Sequence, residues 1–150
     1  MQGFTHVHPR AQNIIRHGKD WKLWVLCDRD PNERWIDGRV ALLGDAAHPM
    51  MQYFAQGACM AMEDAVCLSQ MLADHPDDLV TTLERYRAQR FPRTARVQLQ
   101  SRLIGEHIYH PAGLHAGLRN AIMSAKSSGD YYGHLAWLYG GTGLTGSAGY

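Results

Sequence analysis

Asp45, Gly57 and Ala58 join a carboxylate to a small-residue helix start twelve positions later, a pairing suited to holding a polar ligand. Asp45 follows the apolar run RVALLG (39–44), which at that length reads as a buried strand rather than a helix. A strand ending in Gly-Asp presents its carboxylate at the C-terminal edge of a sheet, where ligands of open α/β sheets collect. A carboxylate there is a good acceptor for polyol hydroxyls. A loop from Ala46 to Gln56 then leads into a helix opening on Gly57-Ala58. That helix directs its free N–H groups and the positive end of its dipole at the same crevice. Its small first residues let a ligand approach the backbone closely. The pattern asks for a ligand with a hydroxylated chain and a delocalised negative charge, and a flavin has both in its ribityl chain and the N1–C2=O edge of its reduced ring. The plainer alternative is a simple Gly-Asp turn before a packing helix. Spacing alone leaves both readings open.

Other constellations are weaker. His48, beside a loop proline, reads as a structural hydrogen-bonder before it reads as a base. Tyr53 and Phe54 either line a pocket or anchor the loop to the core. Met50, Met51, Met60, Met62 and Met71 read first as core filler, with contact to a ligand as the alternative for Met50 and Met51 on the same loop. His6, His8, His107, His110 and His115 invite a metal, but no cysteine or carboxylate completes a recognisable ligand set, so none is expected. Arg85, Arg87, Arg90, Arg93, Arg96 and Arg102 crowd one stretch without an intervening acid. They suggest either a helix that binds nucleic acid or, more plainly, a solvated face or partners for acids elsewhere in a larger protein.

The elements that must position these groups follow from periodicity and punctuation. RAQNIIRHG suggests a short helix stopped by Gly18, and WKLWVLCD (21–28) a strand. DPNE (30–33) has the residues of a turn. From Gly57, the residues Ala58, Ala61, Met62, Ala65, Leu68 and Leu72 trace one apolar helical stripe, ended by His75-Pro76. Asp77-Asp78 cap a next helix carrying Leu79, Leu83 and Tyr86, and Pro92 predicts a kink or break before the pattern resumes at Val97. A further helix is expected over about 112–124 from Leu114, Leu118 and Ile122, and the glycine-rich 140–150 reads as a mobile end. One αβ crossover and no G-x-G-x-x-G after an early strand fall short of a doubly wound domain, so the chain reads as part of something larger.

Composition sets bounds on these readings. The 150 residues are 45% hydrophobic and 19% charged with a formal net charge of +1, a globular composition of about one domain. No apolar run approaches the roughly 20 residues of a membrane span, and MQGFTHVHPR has no signal-peptide pattern. Three cysteines, an odd number at no metal-like spacing, suggest reduced thiols in a cytoplasmic protein.

GDAAH, the glycine that opens a helix after it, and then Glu63-Asp64-Ala65 resemble the second flavin motif of the FAD-dependent aromatic monooxygenases of the p-hydroxybenzoate and salicylate hydroxylase type. The resemblance runs through WVLCDRDP, WIDGRV and YRAQRFPRTARV, covering at least residues 21–104. Gln52 stands where that family usually has a proline; with Tyr53, Phe54 and AQGACMAMEDAV it is most similar to the 3-hydroxybenzoate 6-hydroxylase subfamily. The resemblance implies an α/β fold: the C-terminal part of the p-hydroxybenzoate-hydroxylase-like FAD-binding fold, helix-rich after one buried strand. Residues 1–28 would end the substrate-domain segment, 29–135 would be the C-terminal part of the FAD-binding domain with its packing helices, and 136–150 a flexible tail. It implies FAD and NADH as cofactors, and O2 with a small phenolic acid as substrates, 3-hydroxybenzoate going to gentisate. A salicylate-hydroxylase-like activity on another aromatic stays open, and an Arg-rich module binding nucleic acid is the alternative of a different class. Carried over, Gly44, Asp45, Gln56, Gly57 and Ala58 would bind the cofactor. Gln52 would be catalytic and, with Met51 and Tyr53, would hold the substrate. A soluble cytoplasmic parent with no nucleic acid or membrane partner, with a homodimer as one option for its assembly, completes the expectation.

Overall fold

The computed structural model describes residues 4–5 and 7–144; His6 and the end of the glycine-rich segment, 145–150, lie outside the described residues. Helix α1 (Pro9–His17) starts on a proline at its first turn, and His8 Nδ1 accepts the Arg10 N–H at 3.2 Å. Gly18 ends it as expected, but with an extended backbone (φ −67°) rather than a left-handed one. The segment expected as a strand, 21–28, forms none. It is irregular, and Leu23 and Val25 are 97% and 82% exposed. Branched and aromatic residues fit a pleated surface, yet a strand exists only when its N–H and C=O groups find a neighbouring ladder. No other strand among the described residues runs beside this one. The expected DPNE turn is likewise irregular; locally, Asn32 Oδ1 accepts the Arg34 N–H at 2.9 Å.

The buried strand expected over 39–44 shrinks to half a hairpin. Strand β1 (Ile36–Asp37) pairs antiparallel with β2 (Val40–Ala41), Ile36 opposite Ala41, around Gly38 at φ +56°. Val40 is exposed, and only the inner edge packs, below Trp35. Two short 3₁₀ turns, Gly44–Ala46 and Gln52–Phe54, carry the loop onward to helix α2 (Gly57–Asp74).

α2 spans the expected residues but turns a different face inward. Met60, Asp64 and Cys67 are buried, whereas Ala58, Met62 and Ala65 of the expected stripe are exposed. A buried carboxylate with several donors around it has oriented the helix more strongly than its small apolar residues. Asp78 Oδ1 accepts the Thr81 N–H at 3.2 Å and caps helix α3 (Leu79–Ile104), as the sequence suggested. α3 has no break at Pro92. Its buried residues Thr82, Tyr86, Arg90, Thr94, Val97 and Ser101 keep helical spacing straight through, and the proline ring stands on the exposed side.

α3 passes directly into a π-helical turn, Gly105–Tyr109, and then come helices α4 (Gly113–Ser124) and α5 (Ser128–Tyr139). α4 matches expectation. α5 was not foreseen, although its start is legible in hindsight: Ser127 and Asp130 form a capping box. It reaches Tyr139, inside the stretch expected as a tail, and beyond it Leu144 is buried. Two apolar clusters result, one around Trp35, Cys67, Tyr86 and Leu144, the other around Met60, Val97 and Leu138. No helix among the described residues is long and apolar enough to cross a membrane.

Pro92 contributes an exposed ring and withholds one helical hydrogen bond. Pro92→Ala should therefore raise stability by roughly 2 kcal/mol, the ~3 kcal/mol penalty of an interior proline less up to ~1 kcal/mol from the freer unfolded chain. A urea midpoint that stays put or falls would show that the proline is already accommodated by the helix.

Candidate functional site

Gly44 adopts φ +59°, open to glycine at little cost, and a Cβ there would stand 3.1 Å from the Ala61 Cβ of α2. Position 44 is small for two independent reasons. Its N–H donates to Asp64 Oδ2 at 3.1 Å, and the same oxygen accepts His48 Nε2 at 2.6 Å. The other oxygen, Oδ1, accepts Arg90 Nε at 2.7 Å. All three side chains, Asp64, His48 and Arg90, are at most 2% exposed. The guanidinium of Arg90 goes on to Glu63 Oε2 at 2.7 Å, and Arg93 holds both oxygens of Glu63, at 2.8 and 2.9 Å. An ionised Asp64 only accepts, so Nε2 of His48 carries the proton in this bond. Its Nδ1 is buried with no partner among the described residues.

Burial works to raise the Asp64 carboxyl, but the hydrogen bonds and charges of His48 and Arg90 outweigh it and hold Asp64 below the usual carboxylate range. Glu63 follows the same pattern: burial pushes up, and the bonds and charges of Arg93 and Arg90 push further down. His48 therefore serves as a structural group, locked between Asp64 and the Trp35 ring, whose centroid lies 5.4 Å away.

This network fixes the near end of the loop, and α3 and its neighbours hold the rest. Arg29 donates to the carbonyls of Ala46 and Ala47 at 2.5 and 2.9 Å. Gln98 donates to Pro49 O at 3.0 Å. The Tyr53 ring lies on Gly105, where any Cβ would meet it at 2.4 Å, and its hydroxyl bonds His110 Nε2 at 2.7 Å. Phe54 packs edge-on against Trp137. Tyr53 and Phe54 thus anchor the loop. Ala55 closes the second 3₁₀ turn at φ 54°, a left-handed conformation that costs a residue with a Cβ about 1 kcal/mol or more.

What this frame presents is a carboxylate beside an open helix end. Asp45 is exposed and has no hydrogen bond within the described residues, and its Oδ1 lies 3.8 Å from where a Cβ on Gly57 would be. α2 has no side-chain cap, so the N–H groups of Gly57, Ala58 and Cys59 have no intrahelical acceptor. Gln56, 8% exposed, precedes them and donates its amide to Tyr139 Oη at 3.2 Å. Gly44, Asp45, Gln56, Gly57 and Ala58 are thus gathered at one place. A group pairing hydroxyls with an electron-rich ring edge suits such an arrangement of one carboxylate and free helix amides. Met51 and Gln52 lie on the loop tip, Gln52 exposed, and Tyr53 turns away from them to His110.

Sequence reasoning missed the partners of the arginines. Arg90 and Arg93 bind Glu63 and Asp64, Arg87 binds Glu33 and Glu84, and Arg102 binds Asp28 and Asp30. Arg96 lies 4.0 Å over the Trp137 ring, and Arg85 meets His75. The acids come from this same chain: Glu63 and Asp64 lie largely buried, whereas Glu33, Glu84 and Asp30 stand on the expected solvated face. The available signal was the adjacent Glu63-Asp64, two acids on a helix otherwise rich in small apolar residues.

A family model described as FAD binding domain matches residues 10–101, and the chain belongs to that family. It is 52% identical over 137 residues to 3-hydroxybenzoate 6-hydroxylase 1 of Aquipseudomonas alcaligenes, covering 91% of this chain and 34% of that protein. Over the same shares it is 42% identical to the 3-hydroxybenzoate 6-hydroxylase of Klebsiella oxytoca. A 3-amino-4-hydroxybenzoate 2-monooxygenase of Streptomyces cremeus is 37% identical over 93% of this chain and 34% of its own length. The chain thus spans about a third of the length of these curated relatives. Its helix-rich architecture with one small sheet agrees with the expected C-terminal part of an α/β FAD-binding fold.

The depressed carboxyls give stability a defined acid limit. In acid the unfolded chain binds more protons than the folded one, so the contribution is complete above the ordinary values of 3.8 and 4.5 and is lost as pH falls through the lower folded ones. The urea midpoint should fall steeply below about pH 4.5. Asp64→Asn should remove part of that acid limb while costing roughly 3–5 kcal/mol at pH 7, because Arg90 is left buried without its anion. An unchanged acid limb in the variant would locate the titration elsewhere.

Proposed function

We propose that this chain forms the ribityl- and ring-binding portion of a flavin-dependent hydroxylase that converts 3-hydroxybenzoate to gentisate with NADH and O2. The observation that carries the reading is the unpartnered Asp45 carboxylate beside the uncapped start of α2. The names of the relatives support the substrate, and the family supports FAD. Bound there, FAD would take reducing equivalents from the nicotinamide and activate O2 for transfer to the aromatic ring.

The chain's own residues do the positioning. Asp45 accepts hydroxyls of the ribityl chain in charge-assisted bonds. The amides of Gly57 and Ala58 donate to the electron-rich ring edge, which the positive helix end favours. Gln52, with Met51, faces the substrate side and offers its amide to the phenolic oxygen; Tyr53 contributes by fixing the tip through Gly105 and His110. Residues 1–28 would close the substrate part, and 29–135 would belong to the FAD part, which α5 continues to Tyr139. A cytoplasmic homodimeric parent is part of the same reading; the exposed Leu114, Leu118 and Ile122 of α4 support further assembly. Nucleic-acid binding is disfavoured, since the arginines that suggested it are engaged within the chain.

The test is made on the full-length polypeptide that carries this segment. Its NADH oxidation should be stimulated by 3-hydroxybenzoate with gentisate as product; salicylate turned into catechol instead would redirect the substrate assignment. In the same protein, Asp45→Ala should weaken FAD binding tenfold or more, charged hydrogen bonds being worth roughly 1.5–3 kcal/mol each. FAD retained through dialysis as in the unsubstituted protein would remove Asp45 from the site.

A further inference from the structure

α5 lies outside residues 10–101, the part matched by the family model, yet its last turn is built into the loop and helix end that present Asp45. Three contacts put it there. Arg93, already holding Glu63, donates to the carbonyls of Trp137 and Leu138 at 3.0 and 2.9 Å. These carbonyls sit in the negative end of α5, so the guanidinium both satisfies them and opposes the helix dipole. The Trp137 ring is held between Phe54 of the loop and the Arg96 guanidinium. Leu138 is buried with Met60 and Val97. The register of α5 on α2 is therefore set by a cation and two packed side chains, which leaves little freedom to the next residue.

That residue is Tyr139. It is 63% exposed, but its hydroxyl is not adrift: Gln56, the residue that precedes the free amides of α2, donates its side-chain amide to the phenol oxygen at 3.2 Å. A phenol that accepts through oxygen still has its own proton to give. No acceptor for that proton is present among the described residues. The result is an exposed O–H donor bonded to the residue that directly precedes the α2 amides. The Tyr131 hydroxyl, by contrast, donates to Met123 O at 2.8 Å.

We propose that Tyr139 is a cofactor-binding residue, its hydroxyl donating to a ring carbonyl of the flavin while Gln56 holds its oxygen in place. The inference rests on the flavin reading above. It adds a side-chain donor from the C-terminal helix to a site otherwise made of one carboxylate and backbone amides. Arg93 and Arg96 are then the groups that hold this donor at the site.

Tyr139→Phe, made in the full-length polypeptide, tests this with little risk to folding, because the ring stays and only an exposed oxygen is lost. Loss of one hydrogen bond to the cofactor should weaken FAD binding about two- to tenfold. It should also shift the visible absorption bands of the bound flavin, a signature that a structural role confined to the protein would not produce. FAD affinity and spectrum unchanged in Tyr139→Phe, in a protein where Asp45→Ala does weaken FAD, would overturn the role of Tyr139 and leave the flavin reading standing. Failure of the unsubstituted protein to bind FAD would overturn both.

Discussion

The contact on which the rest of this structure depends is the buried bond between Arg90 and Asp64. Neither group could be buried alone; an unpaired charge in that position would cost several kcal/mol even after relaxation. Paired, they give α2 and α3 a single relative rotation, because only one register brings Nε of one against Oδ1 of the other. Asp64 accepts further from Gly44 and His48, and Arg90 donates further to Glu63 and to Met60 O. Such a network need not add net stability over a well-packed apolar core. Its effect is to exclude other packings of two helices that hydrophobicity alone would leave underdetermined.

Precision at the surface around Asp45 and Gly57 follows from this. Asp64 is one residue type and two oxygens, yet it fixes the peptide of Gly44, the ring of His48 and the face of α2 at once. Asp45 and Gly57 have no hydrogen bond to each other, and both are placed through the Gly44–Asp64 bond and the small Gly44–Ala61 contact. The side chains that meet solvent at the site are few and ordinary. What distinguishes the place is that the backbone beneath them is held from below by charged groups that never reach the surface.

Local signals in the chain were read well where they are truly local. The start of α2 at Gly57, its end at His75-Pro76, the Asp78 cap and the span of α4 depend on residues within a turn of themselves. The turn at Gly44-Asp45 and the small-residue helix start at Gly57-Ala58 were also legible, since each is visible in one window. What could not be read was relational. The 21–28 segment has strand-forming residues but no neighbouring ladder, so it stays irregular. The inward face of α2 was misassigned because apolar periodicity is blind to a carboxylate that is buried only when arginines from another helix arrive. Pro92 looked like a break, and yet its ring points outward and the tertiary contacts on both sides of it outweigh one missing bond. α5 was overlooked in a glycine-rich stretch, where tertiary anchoring by Arg93 and Trp137 supplies what propensity lacks.

The span of the network along the polypeptide also bears on its synthesis. Asp64 meets its guanidinium only when the residue 26 positions later has been made, and Arg93 finds the α5 carbonyls 44 and 45 positions beyond itself. During translation, the loop and α2 therefore emerge well before the cation that neutralises their buried acid. Helices can form as they leave the ribosome, but their docking is deferred until α3 is out, and the final closure waits for the chain to reach Leu138. An interruption between those points would release a nascent chain whose Asp64, on a helix meant for the interior, still lacks the guanidinium that pairs with it.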